Sequence, residues 1–531
     1  MKILLKGGKL CDGSGQKPFY SDILIENDRI IRIAKDIPLS DADEVHDIGG
    51  LTAAPGFIDA HSHNDWFAIK TSPEKYFAPF IRQGITTFVC GNCGLSVIGF
   101  DEGCEYVDNI GGNLFFFDGT TGKYGRASEY FSAVDKNMPC NVASLVGHCT
   151  ARAAVSGNAN RPLTEDELFR MLDIIDRALY EGAAGVSLGL MYEPGIYADT
   201  RELKEVAKLC IKHGKPLTVH SRAQSAVSMA CPELLGRPHV LRALDELAEL
   251  AKGTKLKLQY SHAIFVGRRS FRCKDEFLRI INRLKAEGVD VMFDIYNETV
   301  GVSVITVVLP AWYQAMGLEE KKKPVNRMKL ALLVKATSIL LGFGFKDIEI
   351  AYIGPGYEKY EGKSVQKIAR EEGLSELDAY LKLCELSNFK GRVNMGPYTT
   401  PDIISEFEKN ELCLFMTDAW VEDHGVQNPS VYSCYPKFLK DALCGTGSDP
   451  ESTVRKMSGA VADRFQLKNR GYLKEGFFAD ITVFDEEKLK KGPTEKNSAF
   501  GIEKVFINGI PTLDSGSLTV SPSGGRAIPV K

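Results

Sequence analysis

Short apolar runs recur along the middle of this chain, with longer amphipathic stretches filling the gaps between them. The runs fall at residues 57–58, 84–90, 142–146, 183–188, 216–219, 256–260, 289–293 and 412–416. Continuous apolar runs of this length are the pattern of strands buried on both faces. Between them, residues 164–182, 201–213, 240–252 and 274–287 carry a helical period. Thr164 and Glu167 open the first of these as a capping box, and Gly182, Gly214, Gly253 and Gly288 stand where helices end. Eight strand–helix repeats predict an α/β architecture, a closed parallel (β/α)8 TIM-type barrel whose site lies at the C-terminal strand ends. The interval from about 300 to 410 is too long for one helix and predicts an insertion in the last unit, with a polar, Lys-rich patch at 319–323.

Both ends of the chain have a different texture. Residues 2–5, 22–25 and 29–33, and again 479–484 and 504–509, read as short strands punctuated by turn residues. No helical period precedes residue 70. The two ends together predict a small β-sandwich domain, giving a division at 1–54, 55–475 and 476–531.

Composition narrows the function classes. The 531 residues exceed one ordinary domain, and 44% hydrophobic with 25% charged content is globular. A formal charge of −4 gives no electrostatic case for nucleic acid. No apolar run reaches membrane-helix length, and the N-terminus is too weakly apolar for a signal peptide. The 13 cysteines are scattered and odd in number, which predicts free thiols and a cytoplasmic protein.

The chemistry gathers at the ends of the predicted strands. His61 and His63 close strand one, and in an extended segment alternate side chains share a face, so they form a two-pronged imidazole clamp. Cys90 and Cys93 follow strand two, His148 strand three, His220 strand five, His262 strand six and Asp418 strand eight. Five of nine histidines thus sit at one end of the barrel, a bias that a stability role would not produce. Cys93, between turn-formers, is the ligand candidate; a redox pair with Cys90 is disfavoured because such pairs normally open a helix. His46, His213, His239 and His424 read as ordinary structural histidines, with His424 placed near enough to line the mouth.

Beyond these residues, the chain resembles the amidohydrolase superfamily and, within it, the N-acyl-D-amino-acid deacylases (D-aminoacylases). The resemblance runs nearly end to end. It rests on residues 55–63, on Gly91-Asn92-Cys93-Gly94, on Gly147-His148 followed by Arg152, on 192–198 and on 470–480. It implies a barrel carrying one or two zinc ions held by His61, His63, Cys93, His220, His262 and Asp418. Strand four ends in Ser187-Leu188-Gly189, without the bridging lysine of other branches, and the Cys93 thiolate looks like its substitute. The site of Cys93, His220 and His262 is expected to hold metal more firmly than that of His61 and His63.

Three departures touch the substrate. Ile264 stands where relatives carry Lys, Ser430 lies in the loop where they carry Arg, and 294–298 reads Asp-Ile-Tyr-Asn-Glu in place of Asp-x-Tyr-Pro-Tyr. Tyr296 is thereby retained and Glu298 introduced. The expected activity is metal-dependent hydrolysis of a C–N amide bond, with Asp418 as general base then acid. Tyr192 or His148 binds the developing oxyanion or walls the pocket, and Tyr296, Glu298 and Ser430 contact substrate. Opening of a cyclic amide (hydantoin or lactam) is the alternative, and a non-catalytic metal-binding protein the third reading. The partner expected is a small-molecule amide, preferentially one without a carboxylate, with Arg268 and Arg269 as the only cations placed to restore a carboxylate clamp. Neither a nucleic acid nor a membrane is expected, and the oligomeric state has no sequence signal.

Overall fold

A computed structural model describes residues 1–107, 110, 124–228, 236–314, 316–519 and 524–531. Eight parallel strands form the barrel: Phe57–Asp59, Ile85–Cys90, Asn141–Ser144 continuing as Val146–Gly147, Val186–Gly189, Pro216–His220, Lys257–Tyr260, Asp290–Ile295 and Cys413–Phe415. Each of the eight apolar runs is therefore a barrel strand. The third strand is kinked at Leu145. Its first half pairs with strand two and its second half with strand four. The amide of Leu145 donates to the carbonyl of Cys90 (2.9 Å), which holds the kink. Between strands eight and one, the Ala60 amide donates to the Phe415 carbonyl at 3.3 Å.

The predicted helices appear as Glu165–Glu181, Thr200–His213, His239–Ala251 and Lys274–Ala286. Thr164 and Glu167 make both bonds of the capping box. One short helix, Asp65–Ala68, lies where the sequence shows no period: four residues are too few to display one.

The strands of both termini join by hydrogen bonds into one mixed nine-stranded sheet. Residues from both ends share its core, including Ile3, Leu5, Ile23, Ile25, Ile481, Val483 and Phe506. Residues 524–531 leave this sheet and run along the barrel. The Ile528 amide donates to the Val142 carbonyl and that of Val530 to Gly182, both at 2.8 Å.

Between strands seven and eight lies a three-stranded antiparallel sheet in the order Gly301–Val304, Arg392–Met395, Ile348–Tyr352. Helices Pro324–Leu341, Val365–Glu372 and Glu376–Leu386 accompany it. No helix among the described residues is long and apolar enough to cross a membrane.

Candidate metal centre

Three of the six predicted ligand residues sit in the left-handed backbone region: Cys93 (φ 53°), His262 (φ 36°) and Asp418 (φ 48°). L-residues other than Asn and Asp seldom adopt this conformation, and its cost is of order 1–3 kcal/mol for a strained residue. Here it turns the chain sharply at the ends of strands two, six and eight, so each side chain folds back over the barrel axis. Gly91 and Gly94, both at φ 75°, flank the Cys93 turn. A Cβ on Gly94 would lie 2.6 Å from Cys149 Sγ, so the close packing there admits only glycine.

Cys93 Sγ lies 3.3 Å from His61 Nε2 and 3.4 Å from His262 Nε2. Asp418 Oδ1 lies 3.5 Å from the Nε2 atoms of both His61 and His63. Two candidate ligand groups result, His61–Cys93–His262 and His61–His63–Asp418, sharing His61. The sequence groups His220 with Cys93 and His262. Its ring flanks that of His262 at 4.4 Å between centroids, with Tyr192 at 4.6 Å. Both His220 ring nitrogens are buried without a hydrogen bond. Such orphans are costly unless something else satisfies them. Borderline imidazoles, a soft thiol and a carboxylate are a donor set that suits zinc.

Electrostatics tie the group together. Burial pushes the Cys93 thiol up to about 11, with His61 opposing. Burial opposes charge on His61, but Cys93, Asp294 and Asp418 carry its pKa well above the usual imidazole value. Burial depresses His220 well below that value, aided by His262, and depresses His262 to about 4. Burial favours the neutral acid of Asp418, yet the surrounding His63, His61 and His262 hold its pKa far below the usual range. The Asp418 side chain is 21% exposed, which points this carboxylate toward the mouth.

Several residues that the sequence does not single out support the ligands. Ser187, within strand four, donates to the Gly91 carbonyl (2.5 Å) and accepts from the Gly94 amide (3.0 Å), pinning the Cys93 loop. Asp294 accepts from the His262 amide at 2.6 Å and lies 3.6 Å from His61 Nδ1, turning His61 Nε2 toward the cluster. The Gln224 amide meets His262 Nδ1. Asp59, its pKa raised by burial to about 7, accepts from the Thr417 amide and hydroxyl, joining strand one to strand eight. The only available signal was position: these residues lie at or beside strand ends.

The remaining site candidates divide. Tyr296 is buried; burial raises its pKa well above the usual phenol value, and the charge of Asp418 adds to the rise. His148 Nε2 is committed to Glu202 at 2.7 Å, and Arg152 Nε donates to the same carboxylate at 3.0 Å. His148 Nδ1 is buried without a hydrogen bond. Glu298 forms an ion pair with Lys437, so its charge is already answered within the protein. Ser430 is 1% exposed, its amide donating to Asn428 Oδ1 and its carbonyl accepting from Gln83. Ile264, 7% exposed, lines a small void with Ile295, Tyr296, Ile403, Ile404 and Phe407, apolar surroundings that would penalise a lysine. Arg268, expected as a mobile cation, is bound to Asp347 and the Gly342 carbonyl. His46, His213 and His424 contact Glu44, Asp176 and Tyr352 respectively, and His239 accepts from the Ser228 amide.

A parallel barrel with paired ligand groups at its C-terminal mouth is the arrangement that a metal-dependent hydrolase uses. No protein-family model matches the chain. It is 28% identical to a D-aminoacylase of Alcaligenes xylosoxydans xylosoxydans over 98% of this chain and 96% of that one. A solved D-aminoacylase, studied for its binuclear metal center, is 26% identical with a TM-score of 0.77, covering 99% of both chains. An N-acyl-D-glutamate deacylase from Bordetella bronchiseptica, solved with zinc and a phosphonate inhibitor, shares the fold at a TM-score of 0.79 and 23% identity, covering 99% of both chains. Over nearly its whole length the chain is thus similar to D-aminoacylases and other N-acyl-D-amino-acid deacylases.

Proposed function

We propose that this protein is a zinc-dependent amidohydrolase that cleaves the C–N amide bond of a small acylated amino compound. The observation that carries the reading is the convergence of His61, His63, Cys93, His262 and Asp418 in two ligand groups sharing His61. His220, with two orphaned ring nitrogens against His262, completes the donor set on the Cys93 side. The thiol and imidazoles favour zinc, and two groups leave room for one or two ions.

Bound zinc supplies Lewis acidity for a carbonyl and makes water acidic enough to attack at neutral pH. The chain supplies the rest. Asp418, ionised and partly exposed, takes the proton of the attacking water and returns it to the departing nitrogen. Tyr192, whose ring packs against His220, is the first candidate donor to the oxygen that gains charge, and His148 the second. The twelve described cysteines are free, which supports a reducing, cytoplasmic setting.

The test is metal content by elemental analysis together with a substrate panel of acyl amino acids, neutral acyl amines and cyclic amides. Zinc retention with release of a carboxylate and an amine from linear amides is expected. Exclusive turnover of ring amides would move the assignment to a cyclic amidase, and a zinc-loaded protein inert on the whole panel would overturn hydrolysis of these amides.

A further inference from the structure

The loop that follows strand eight carries Asp418 at its start, and the inserted sheet holds that loop from outside the barrel. The Val426 amide donates to the Ala351 carbonyl at 3.0 Å, and the rings of His424 and Tyr352 stack at 5.6 Å. Arg392, on the central strand of the inserted sheet, reaches further in. Its guanidinium lies 3.0 Å from Glu422 Oε1 and donates to the His424 carbonyl at 2.8 Å. Glu422 Oε1 also accepts from Trp420 Nε1 at 2.6 Å. The Trp420 ring then meets His63 edge to face, 5.5 Å between centroids at 86°. A continuous line of contacts therefore runs from the inserted sheet to a candidate ligand, through a loop anchored at its other end by the Asp418 amide on the His61 carbonyl (3.1 Å).

Arg392 is 8% exposed, and a cation this deeply placed persists only where partners answer it. Its planar fork serves a carboxylate and a backbone carbonyl at once, which an ammonium at the end of a flexible stem does less well. Of the residues on this line only His61, touched through its backbone carbonyl, is shared with the Cys93 side of the cluster.

We propose that Arg392 is a positioning residue for the His63–Asp418 half of the metal centre, acting through Glu422 and Trp420. The inserted sheet thereby sets the metal affinity of one half of the site independently of the other. The inference rests on His63 and Asp418 being ligands, as proposed above.

The experiment is a cobalt(II) titration of the metal-stripped full-length protein and of Arg392→Gln, followed by two signals. The thiolate-to-cobalt charge-transfer band reports the Cys93 side. Trp420 fluorescence, isolated as the difference from a Trp420→Phe control, reports the His63 side. In Arg392→Gln the fluorescence midpoint is expected to move to about tenfold higher cobalt or more, the usual cost of losing an outer-shell partner, while the charge-transfer midpoint stays in place. Arg392→Lys, which keeps the charge on Glu422, should fall between the two and serves as the test variant if Arg392→Gln misfolds by circular dichroism. Unchanged midpoints for both signals, or equal shifts of both, would overturn the proposal. Absence of any charge-transfer band in the parent would instead remove the metal reading itself.

Discussion

The thiol of Cys93 and the Nε2 atom of His61 lie 3.3 Å apart, although strands two and one deliver them from positions 32 residues distant. His61 also faces Asp418, so a single imidazole stands between the two candidate ligand groups. Losing His61 itself is therefore expected to be felt in both groups, whereas Cys93 belongs to one side alone and Asp418 to the other.

Replacing Cys93 with Ala should remove the more firmly held metal. Ser187→Ala should weaken it as well, because Ser187 holds both glycines of the Cys93 loop. A loss of about tenfold or more in affinity is expected for the Ser187 change, measured by competition with a chelating dye. Full zinc content and activity in Cys93→Ala would rule that thiol out as a ligand.

Asp418→Asn should retain the fold and lose turnover by on the order of a hundredfold or more, the typical contribution of a general base. The amide cannot accept the proton of water at neutral pH. Single-turnover rates under metal saturation separate this effect from weakened metal binding, and a rate equal to that of the parent would place the base elsewhere.

Stability should fall on the alkaline side because of His148. Burial alone would depress its pKa, but Cys149 and Glu202 raise it to about 9. A histidine raised from about 6.5 contributes stability that is complete below the unfolded value and lost as pH climbs through the folded one. The window is thus roughly pH 6.5 to 9, with an upper bound on the order of 3 kcal/mol. Urea midpoints across this range should decline in the parent, and His148→Gln should lack that component of the decline.

The substrate is expected to be uncharged near the mouth. Lys437 neutralises Glu298, so a cationic substrate group gains less there than an isolated carboxylate would offer. Arg268 is held by Asp347 of the insertion, so Arg268→Ala should increase proteolysis within 300–410 and leave KM for any acyl amino acid unchanged. Efficient hydrolysis of acyl amino acids, with a KM raised by Arg268→Ala or Arg269→Ala, would show that a carboxylate clamp survives.

The sequence by itself determined the strand and helix order, the placement of candidate ligands at strand ends and details as fine as the Thr164–Glu167 box. These are local properties, written in periodicity and in residues a few positions apart. The tertiary structure alone decided which ligands meet. It put His61 and His262 within 3.4 Å of Cys93, and gave Cys93, His262 and Asp418 their left-handed turns. It joined Glu298 to Lys437 and Arg392 to Glu422, and drew Ser187, Asp294 and Gln224 around the ligands. Such pairings arise only when the barrel closes and the insertion docks, because a contact between residues far apart in the chain leaves no periodic trace in either segment.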